Sequence, residues 1–220
     1  ETELDAIVGE LLNQSLKPCE MALKDAGISK VDSIVMHAPG TIQGDENEYK
    51  AIKKIFGDDV SSGLIFANHF DKNEFIDHLD NPKIPVIRPM NYPMNTPGRG
   101  YLYDSSPVGV VNLIGRVWVG EYDSPFSVMD EVLSNIYIDK KPIIVDFHAE
   151  ATSEKAALGW HLDGRVTAVV GTHTHVPTAD CKILPDGTAF VSDLGMVGAE
   201  NSILGAEVEG SLNRFLTSRK

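Results

Sequence analysis

The sequence predicts a layered α/β fold. Short apolar runs rich in Val and Ile alternate along the chain with segments whose apolar residues recur at helical spacing. Strands that alternate with helices in this way are typical of sheets covered by helices. The chain has 220 residues and 42% hydrophobic residues. It is therefore long enough for one large domain or two small ones, with the composition of an ordinary globular protein.

The first part of the chain predicts more helix than strand. Residues 1 to about 30 form a predicted helix, because apolar residues recur three and four positions apart from Leu4 to Leu16. Pro18 is expected to kink or divide this helix, and Gly27 is a suitable C-terminal stop. The stretch "SIVM" then predicts a short strand, "APGTIQGDEN" a polar loop and "EYKAIKKIFG" a helix.

The rest of the chain alternates more regularly. Strands are predicted in "SGLIFANH", "SPVGVVNLIG", "KPIIVDFHAE" and "RVTAVVGTHTH", and "IPVIRPMNYP" is an extended segment interrupted by prolines. Helices are predicted in "KNEFIDHL", "SPFSVMDEVLSNIY" and "TSEKAALGWHLDG". Ser124 is the expected N-cap of the second of these helices, and Thr152 begins an imperfect capping box in the third.

Charge and cysteine content restrict the classes of partner. The formal net charge of -13 argues against a surface that follows a nucleic-acid polymer, which needs clustered Lys and Arg. A small anionic substrate is still compatible, because a bound metal ion dominates its local field. Cys19 and Cys181 are the two cysteines, and neither lies in a CxxC pair. With no basic-then-apolar leader and no apolar run of about 20 residues, the sequence predicts a cytoplasmic protein without a membrane span.

Three predicted strands end in residues that bind metals. Their final residues are Asn68 and His69, then His148, then His173 and His175. Because the carboxyl ends of strands meet at one edge of an α/β sheet, these side chains are expected to gather there. Alternate residues of an extended segment point the same way, so both histidines of "THTH" are expected to face one point, with Thr172 and Thr174 facing away. Amide oxygen and imidazole together suit a divalent metal.

Each histidine also has a simpler interpretation. A single histidine at a strand end is commonly a loop residue bonded to backbone, but one amide and three imidazoles at three strand ends are a less probable coincidence. The remaining histidines, His37, His78 and His161, have no comparable setting and are predicted to be surface or loop residues.

These segments resemble a known family. Residues from about 63 to 216 are similar to the YmdB-like bacterial metallophosphoesterases, relatives of the calcineurin-like phosphoesterases. The segments that carry the resemblance are "ANHFDKNEFIDHLDN", "IRPMNYPMNTPGRG", "VVNLIGRVW", "DFHAEATSEKAALGWHLDGRVTAVVGTHTHVPTAD", "ILPDGTAFVSDLGMVG" and "ILG". The resemblance implies a four-layer α/β/β/α sandwich, two divalent metal ions (Fe, Mn, Mg or Zn) and phosphodiesterase activity that includes 2′,3′-cyclic nucleotides.

The resemblance also implies a role for each strand-end residue. Asn68, His148 and His173 resemble the ligands of the second metal, and His175 resembles a ligand of the first metal. His69 resembles the catalytic histidine that contacts the phosphate and protonates the leaving oxygen. A histidine titrates near neutral pH and is therefore a suitable general acid.

The N-terminal part departs from the family pattern. The GDVVG-type and NGEN-type motifs, which supply an Asp ligand and a bridging Glu, are absent. Residues 1–60 resemble fragments of a DnaK-type chaperone and of a β-ketoacyl synthase instead, so the predicted organisation is a helix-rich segment 1–60 followed by a metallophosphoesterase-like domain 61–220. Glu46 in "GDENE" is the best substitute for the bridging carboxylate, with Asp45 as second choice, while Asp5 follows too short and too charged a segment.

Two functions from different classes therefore stay open. The first is a metal-dependent phosphodiesterase that acts on a small phosphodiester. The second is a catalytically degenerate or scaffold protein that keeps the fold with a depleted metal site. Acyl transfer, suggested by the synthase-like fragment, is a weaker third, because "HAPGT" lacks the catalytic arrangement of an AHGT-type motif. Homo-oligomerisation is left open by the sequence.

Overall fold

The structure is a computed structural model that describes residues 35–37, 64–66, 86–102, 108–135, 141–196 and 201–218. The chain divides into two compact units, one of Val31–Gly195 and one of Glu1–Lys30 with Met196–Lys220. The helices predicted in residues 1–30, in "EYKAIKKIFG" and in "KNEFIDHL" lie outside the described residues.

A small parallel sheet contains the first three strands. It has the order β1 (Val35–His37), β2 (Leu64–Phe66) and β3 (Val86–Ile87). The strands predicted in "SIVM" and "SGLIFANH" are thereby confirmed. His37, predicted to be a surface or loop residue, is the last residue of β1. After the third strand, the backbone N–H group of Arg88 donates to the carbonyl oxygen of Arg99.

The larger sheet has six strands in the order β4-β5-β6-β7-β9-β8. The inner four are parallel, and the two edge strands run antiparallel to their neighbours. The strands are β4 (Tyr101–Leu102), β5 (Gly109–Ile114), β6 (Ile143–His148), β7 (Ala168–Thr172), β8 (Lys182–Ile183) and β9 (Ala189–Val191). The predicted strands β5, β6 and β7 are confirmed, and so is the α/β class.

Two helices cover one face of the larger sheet, α1 (Pro125–Asn135) and α2 (Thr152–His161). Alternate strand residues point towards these helices, as the two-residue period of a strand requires. These strand residues and the buried residues of both helices form one hydrophobic core. Its members include Leu113, Phe147, Val169 and Phe190 from the strands, Met129 and Val132 from α1, Leu158 from α2 and the adjoining Leu162. Full burial stabilises the fold by about 1.5–3 kcal/mol for each large apolar side chain.

The two helices begin differently. The N–H of Ser127 lies 3.5 Å from the Ser124 hydroxyl, which agrees with the predicted N-cap of α1. The predicted capping box of α2 is wrong, because its N-cap is Ala151, without any side-chain cap. Glu154 in the first turn of α2 instead accepts hydrogen bonds from the backbone N–H groups of Arg116 and Val117, 3.0–3.2 Å away. That carboxylate therefore fixes the turn that follows β5.

The second unit contributes one described helix, α3 (Val208–Thr217). The Glu207 carboxylate caps it by accepting from the N–H groups of Glu209 and Gly210. None of its residues is buried. Among the described residues, no helix has both the length and the apolar character that crossing a membrane requires.

Candidate metal centre

The candidate site lies where β6 and β7 end side by side. His148 is the last residue of β6 and pairs in register with Thr172, the last residue of β7. His173 follows directly, so both imidazoles are at the carboxyl edge of the sheet. Their rings meet edge to face, with centroids 4.7 Å apart and planes at 85°. Nδ1 of His173 is 3.0 Å from Nε2 of His148.

This separation suits two ligands of one metal ion. Two imidazole nitrogens bound about 2.0–2.1 Å from the same ion, at angles between a right angle and the tetrahedral angle, lie about 3 Å apart. The observed 3.0 Å matches that geometry. Within the described residues, no group of three or more His, Cys, Asp and Glu side chains is placed to hold a metal. The described residues thus supply two imidazoles of a candidate metal site, and in the structure a hydrogen bond joins these two rings.

The hydrogen bonds around His148 determine which nitrogen can bind. Thr172 donates its hydroxyl hydrogen to Asp146, with Oγ1 3.0 Å from Oδ1. Nδ1 of His148 is 3.2 Å from the same hydroxyl oxygen. Because that hydrogen is already used, the Nδ1–H group of His148 is the donor in this contact. The Nε2 atom then carries a lone pair and points towards His173. His148 and Asp146 are 1% and 2% exposed, so this orientation is fixed inside the protein.

Glu150 orients the second imidazole in the same way. Its Oε2 atom lies 2.9 Å from Nε2 of His173, which directs Nδ1 of that ring towards His148. No role for Glu150 was predicted from the sequence. A signal was present, because Glu150 lies two residues beyond His148 and acidic partners of metal-binding imidazoles are common.

The expected alternation along "THTH" is wrong. The strand ends at Thr172, and the φ angles of His173 and His175 are 112° and 65°, far from an extended backbone. Thr172 does not face away from the site, because its hydroxyl contacts both His148 and Asp146. The rule for strands fails here because the chain turns sharply directly after the last ladder position. Both φ values lie in the region that non-glycine residues rarely adopt.

The structure brings only some of the predicted site residues together. It brings His148 and His173 together, and it does not place His175 in a group of three with them. Asn68, His69 and Glu46 lie outside the described residues, as does Asp45. Their proposed roles therefore stay predictions.

A second carboxylate network connects the loop that follows "THTH" with the end of β9. Asp180 accepts hydrogen bonds from the hydroxyl and the N–H group of Ser192 and from the Thr178 hydroxyl, 2.6 Å away. Burial raises the pKa of Asp180, but these hydrogen bonds together lower it to about 2, from an ordinary value of 3.8. The ionised carboxylate thus ties the loop to the end of β9.

Comparisons with known proteins agree with one another. The model of a family described as YmdB-like protein matches residues 14–220. A 2′,3′-cyclic-nucleotide 2′-phosphodiesterase of Bacillus subtilis (strain 168) is 45% identical over 174 residues, which are 76% of this chain and 65% of the relative. The chain thus spans slightly less than two thirds of that protein.

Two solved structures share the fold. A hypothetical protein from Thermus thermophilus superposes with a TM-score of 0.75 and 35% identity, over 97% of this chain and 81% of that one. A phosphatase of Mycoplasma pneumoniae gives a TM-score of 0.72 and 28% identity, over 95% of this chain and 76% of that one. At these identities and coverages, the likeness extends over most of the chain.

Proposed function

The chain belongs to the YmdB-like family, and from this premise we propose that it is a metal-dependent phosphodiesterase that hydrolyses small phosphodiesters such as 2′,3′-cyclic nucleotides. The substrate class is that of the Bacillus relative, a 2′,3′-cyclic-nucleotide 2′-phosphodiesterase. The proposal includes a cytoplasmic location. It also includes a small substrate, because a net charge of -13 is unsuited to binding a nucleic-acid polymer.

The observation that carries the proposal is the pair of converging imidazole nitrogens. Nε2 of His148 and Nδ1 of His173 lie 3.0 Å apart. The other ring nitrogen contacts an oxygen atom in each case, that of Thr172 for His148 and that of Glu150 for His173. Rings that are oriented by their other nitrogen are typical of metal ligands.

The proposed ligand set extends this pair. His148 and His173 would hold one ion together with Asn68, while His175 would hold a second ion, and Glu46 would bridge the two. When bound, two divalent cations supply positive charge that stabilises the charge developing on the phosphoryl oxygens. His69 is proposed as the general acid that protonates the leaving oxygen of the substrate.

The test compares two histidine variants in the full chain. Wild-type protein and His173→Ala are loaded with Mn²⁺, and metal content is measured beside hydrolysis of 2′,3′-cyclic AMP and bis-p-nitrophenyl phosphate. We expect turnover with bound metal in the wild type, and loss of at least one metal and about 100-fold or more of the rate in His173→Ala.

His161→Ala is the matched control. His161 is also an imidazole that contacts a carboxylate, with Nε2 2.9 Å from Oδ1 of Asp130, but it ends α2 on the exposed surface. This variant should keep its metal and its rate. A wild type that binds metal but hydrolyses neither substrate would favour the scaffold function over the enzyme.

A further inference from the structure

We propose that the buried ion pair of Lys155 and Asp193 is a positioning device for the segment that carries His173 and His175. The inference rests on the proposed metal site, because it concerns how that site is kept in shape. Lys155 belongs to the first turn of α2, and Asp193 follows β9. Neither residue is a proposed metal ligand.

The pair is fully enclosed. Nζ of Lys155 lies 2.8 Å from Oδ2 of Asp193, and the two side chains are 2% and 1% exposed. A buried ion pair contributes little net stability, because the loss of hydration offsets the attraction between the charges, and apolar residues of similar size commonly stabilise as much or more. Stability alone is therefore a poor explanation for a lysine in this position.

The carboxylate contacts the metal-site segment directly. Oδ2 of Asp193 accepts from the N–H group of Thr174, the residue between the two histidines, at 3.0 Å. Oδ1 accepts from the N–H group of Gly195 at 2.8 Å. Burial raises the pKa of Asp193, but the hydrogen bonds from Lys155, Gly195 and Thr174 together lower it below its ordinary value. Lys155 thus helps to keep Asp193 an ionised acceptor for the backbone of Thr174.

The segment needs such an external anchor. His173 and His175 both have positive φ, a conformation that costs on the order of 1–2 kcal/mol for a residue with a Cβ. Strained backbone persists where surrounding contacts hold it. The hydrogen bond to Thr174 lies between the two strained residues, so it acts on both. Loss of the bond would let the chain relax and would move the His173 ring away from His148.

The test uses variants that keep size and remove charge. Asp193→Asn retains an acceptor oxygen, and the double variant Lys155→Met with Asp193→Leu replaces the whole pair by apolar residues. Cobalt is titrated into each 220-residue protein, and its visible absorption reports the affinity and the coordination geometry. We expect both variants to bind Co²⁺ about 10–100-fold more weakly and with a changed spectrum. The double variant should still fold, with a lower melting temperature than the wild type, because the N–H groups of Thr174 and Gly195 lose their acceptor.

Asp130→Asn is the matched control, since it removes an exposed ion pair. Asp130 Oδ1 lies 2.7 Å from Nη2 of Arg165, and the side chains are 48% and 38% exposed. Its cobalt affinity and spectrum should equal those of the wild type. Wild-type affinity and spectrum in the double variant would overturn the positioning role and leave the pair a structural element.

A readout without metal separates this inference from the proposed function. The N–H group of Thr174 should exchange with solvent about 10-fold faster or more in the double variant, which has no acceptor for it, than in the wild type, as measured by NMR. Asp193→Asn keeps an acceptor oxygen, so its exchange rate should lie between those of the wild type and the double variant. Unchanged exchange in both variants would overturn the positioning role. If the wild type bound no cobalt, the metal site itself would be wrong, and the exchange rates would still decide whether the pair holds the segment.

Discussion

Each imidazole of the candidate site has one nitrogen engaged by an oxygen and the other directed at its neighbour. For His148 the oxygen belongs to Thr172, which in turn donates to Asp146. For His173 it belongs to Glu150. Ring rotation would break a contact on both sides, so the two donor atoms are preorganised towards the same point. Preorganised ligands bind a metal without losing further side-chain freedom.

The Asp180 network predicts a pH dependence of stability. The folded-state pKa of about 2 lies below the ordinary 3.8, so the stabilisation is fully present above about pH 4 and is lost as the pH falls towards 2. Asp180→Asn should therefore lower the free energy of unfolding at pH 7, by on the order of 1 kcal/mol after solvent screening. Between pH 4 and pH 2 the difference between variant and wild type should shrink.

Urea denaturation at pH 7, 4, 3 and 2 measures this difference. If the difference in the free energy of unfolding between wild type and Asp180→Asn stayed constant down to pH 2, Asp180 would not be the titrating group. The experiment is independent of metal binding, because Asp180 contacts Thr178 and Ser192 in the described structure and no proposed ligand.

The sequence indicates the two histidines but not the residues that support them. His148 and His173 follow clear apolar runs, and the carboxyl ends of strands are where sites form in α/β sheets. Lys155 and Asp193 are 38 positions apart. A lysine in a helical first turn has the same sequence signature whether it is exposed or buried, so only the tertiary structure reveals this pair.

At the level of elements, β7 has no room beside it for a side chain at Gly171. A Cβ added there would lie 1.7 Å from the carbonyl oxygen of Ser192 and 3.0 Å from Cδ of Lys155. The first of these is a backbone atom, which can move only if the end of β9 moves. Because Gly171 has no side chain, the backbone at Ser192 can pack directly against β7, the strand that leads to His173.

Gly171→Ala should be strongly destabilising. Forcing a methyl group against backbone costs about 3 kcal/mol, the upper end of the usual range, at a site that cannot relax. Urea denaturation of the variant measures this loss. Gly210→Ala is the control, since it lies in the exposed helix α3 and its Cβ would meet only the end of the flexible Glu207 side chain, at 2.9 Å. The control should change stability by no more than about 1 kcal/mol, because alanine favours helix. Equal stability of Gly171→Ala and wild type would refute the packing argument.

The strands that could be predicted are the long ones. β5 and β6 have six residues each and β7 has five, which is enough to give a recognisable apolar run. β4 and β8 have two residues each, and the exposed β8 carries no apolar pattern. The hairpin of β8 and β9 nevertheless has a turn signal in "LPDGT", where Leu184 N–H donates to the Thr188 carbonyl.

At the scale of the whole molecule, the net negative charge affects how metal binding must be measured. A net charge of -13 favours the approach of cations, but scattered surface carboxylates also bind them weakly. Stabilisation by metal is therefore informative only when it depends on the candidate site.

Removal of metal should lower the melting temperature. A ligand present at about 100 times its dissociation constant stabilises the folded state by about 2.7 kcal/mol. For a chain of this length that corresponds to about 5–10 °C. Thermal melts of protein dialysed against EDTA, with and without added Mn²⁺, measure the shift. His173→Ala should show a much smaller shift, and an equal shift in this variant would assign the effect to the acidic surface.

The family and the α/β class follow from the sequence, because long motifs such as "DFHAEATSEKAALGWH" are specific and the strand–helix alternation is regular. The complete ligand set does not follow. Glu46 is predicted as the bridging carboxylate because "GDENE" lies between the first predicted helix and Asn68, follows an apolar run and precedes a predicted helix. Such order along the chain is a weak signal for a site that is assembled from distant segments. The predicted division at residue 60 also stays a prediction.

His148 ends β6 and His173 directly follows β7, the next strand along the chain, and only 25 positions separate the two residues. Contacts between residues so close in sequence cost little loop-closure entropy and form early relative to contacts between distant segments. Whichever folding step pairs β6 with β7 therefore also brings the two histidines close to each other. The segment that carries His173 is anchored only later, when the chain after β9 packs and Asp193 accepts from the N–H group of Thr174.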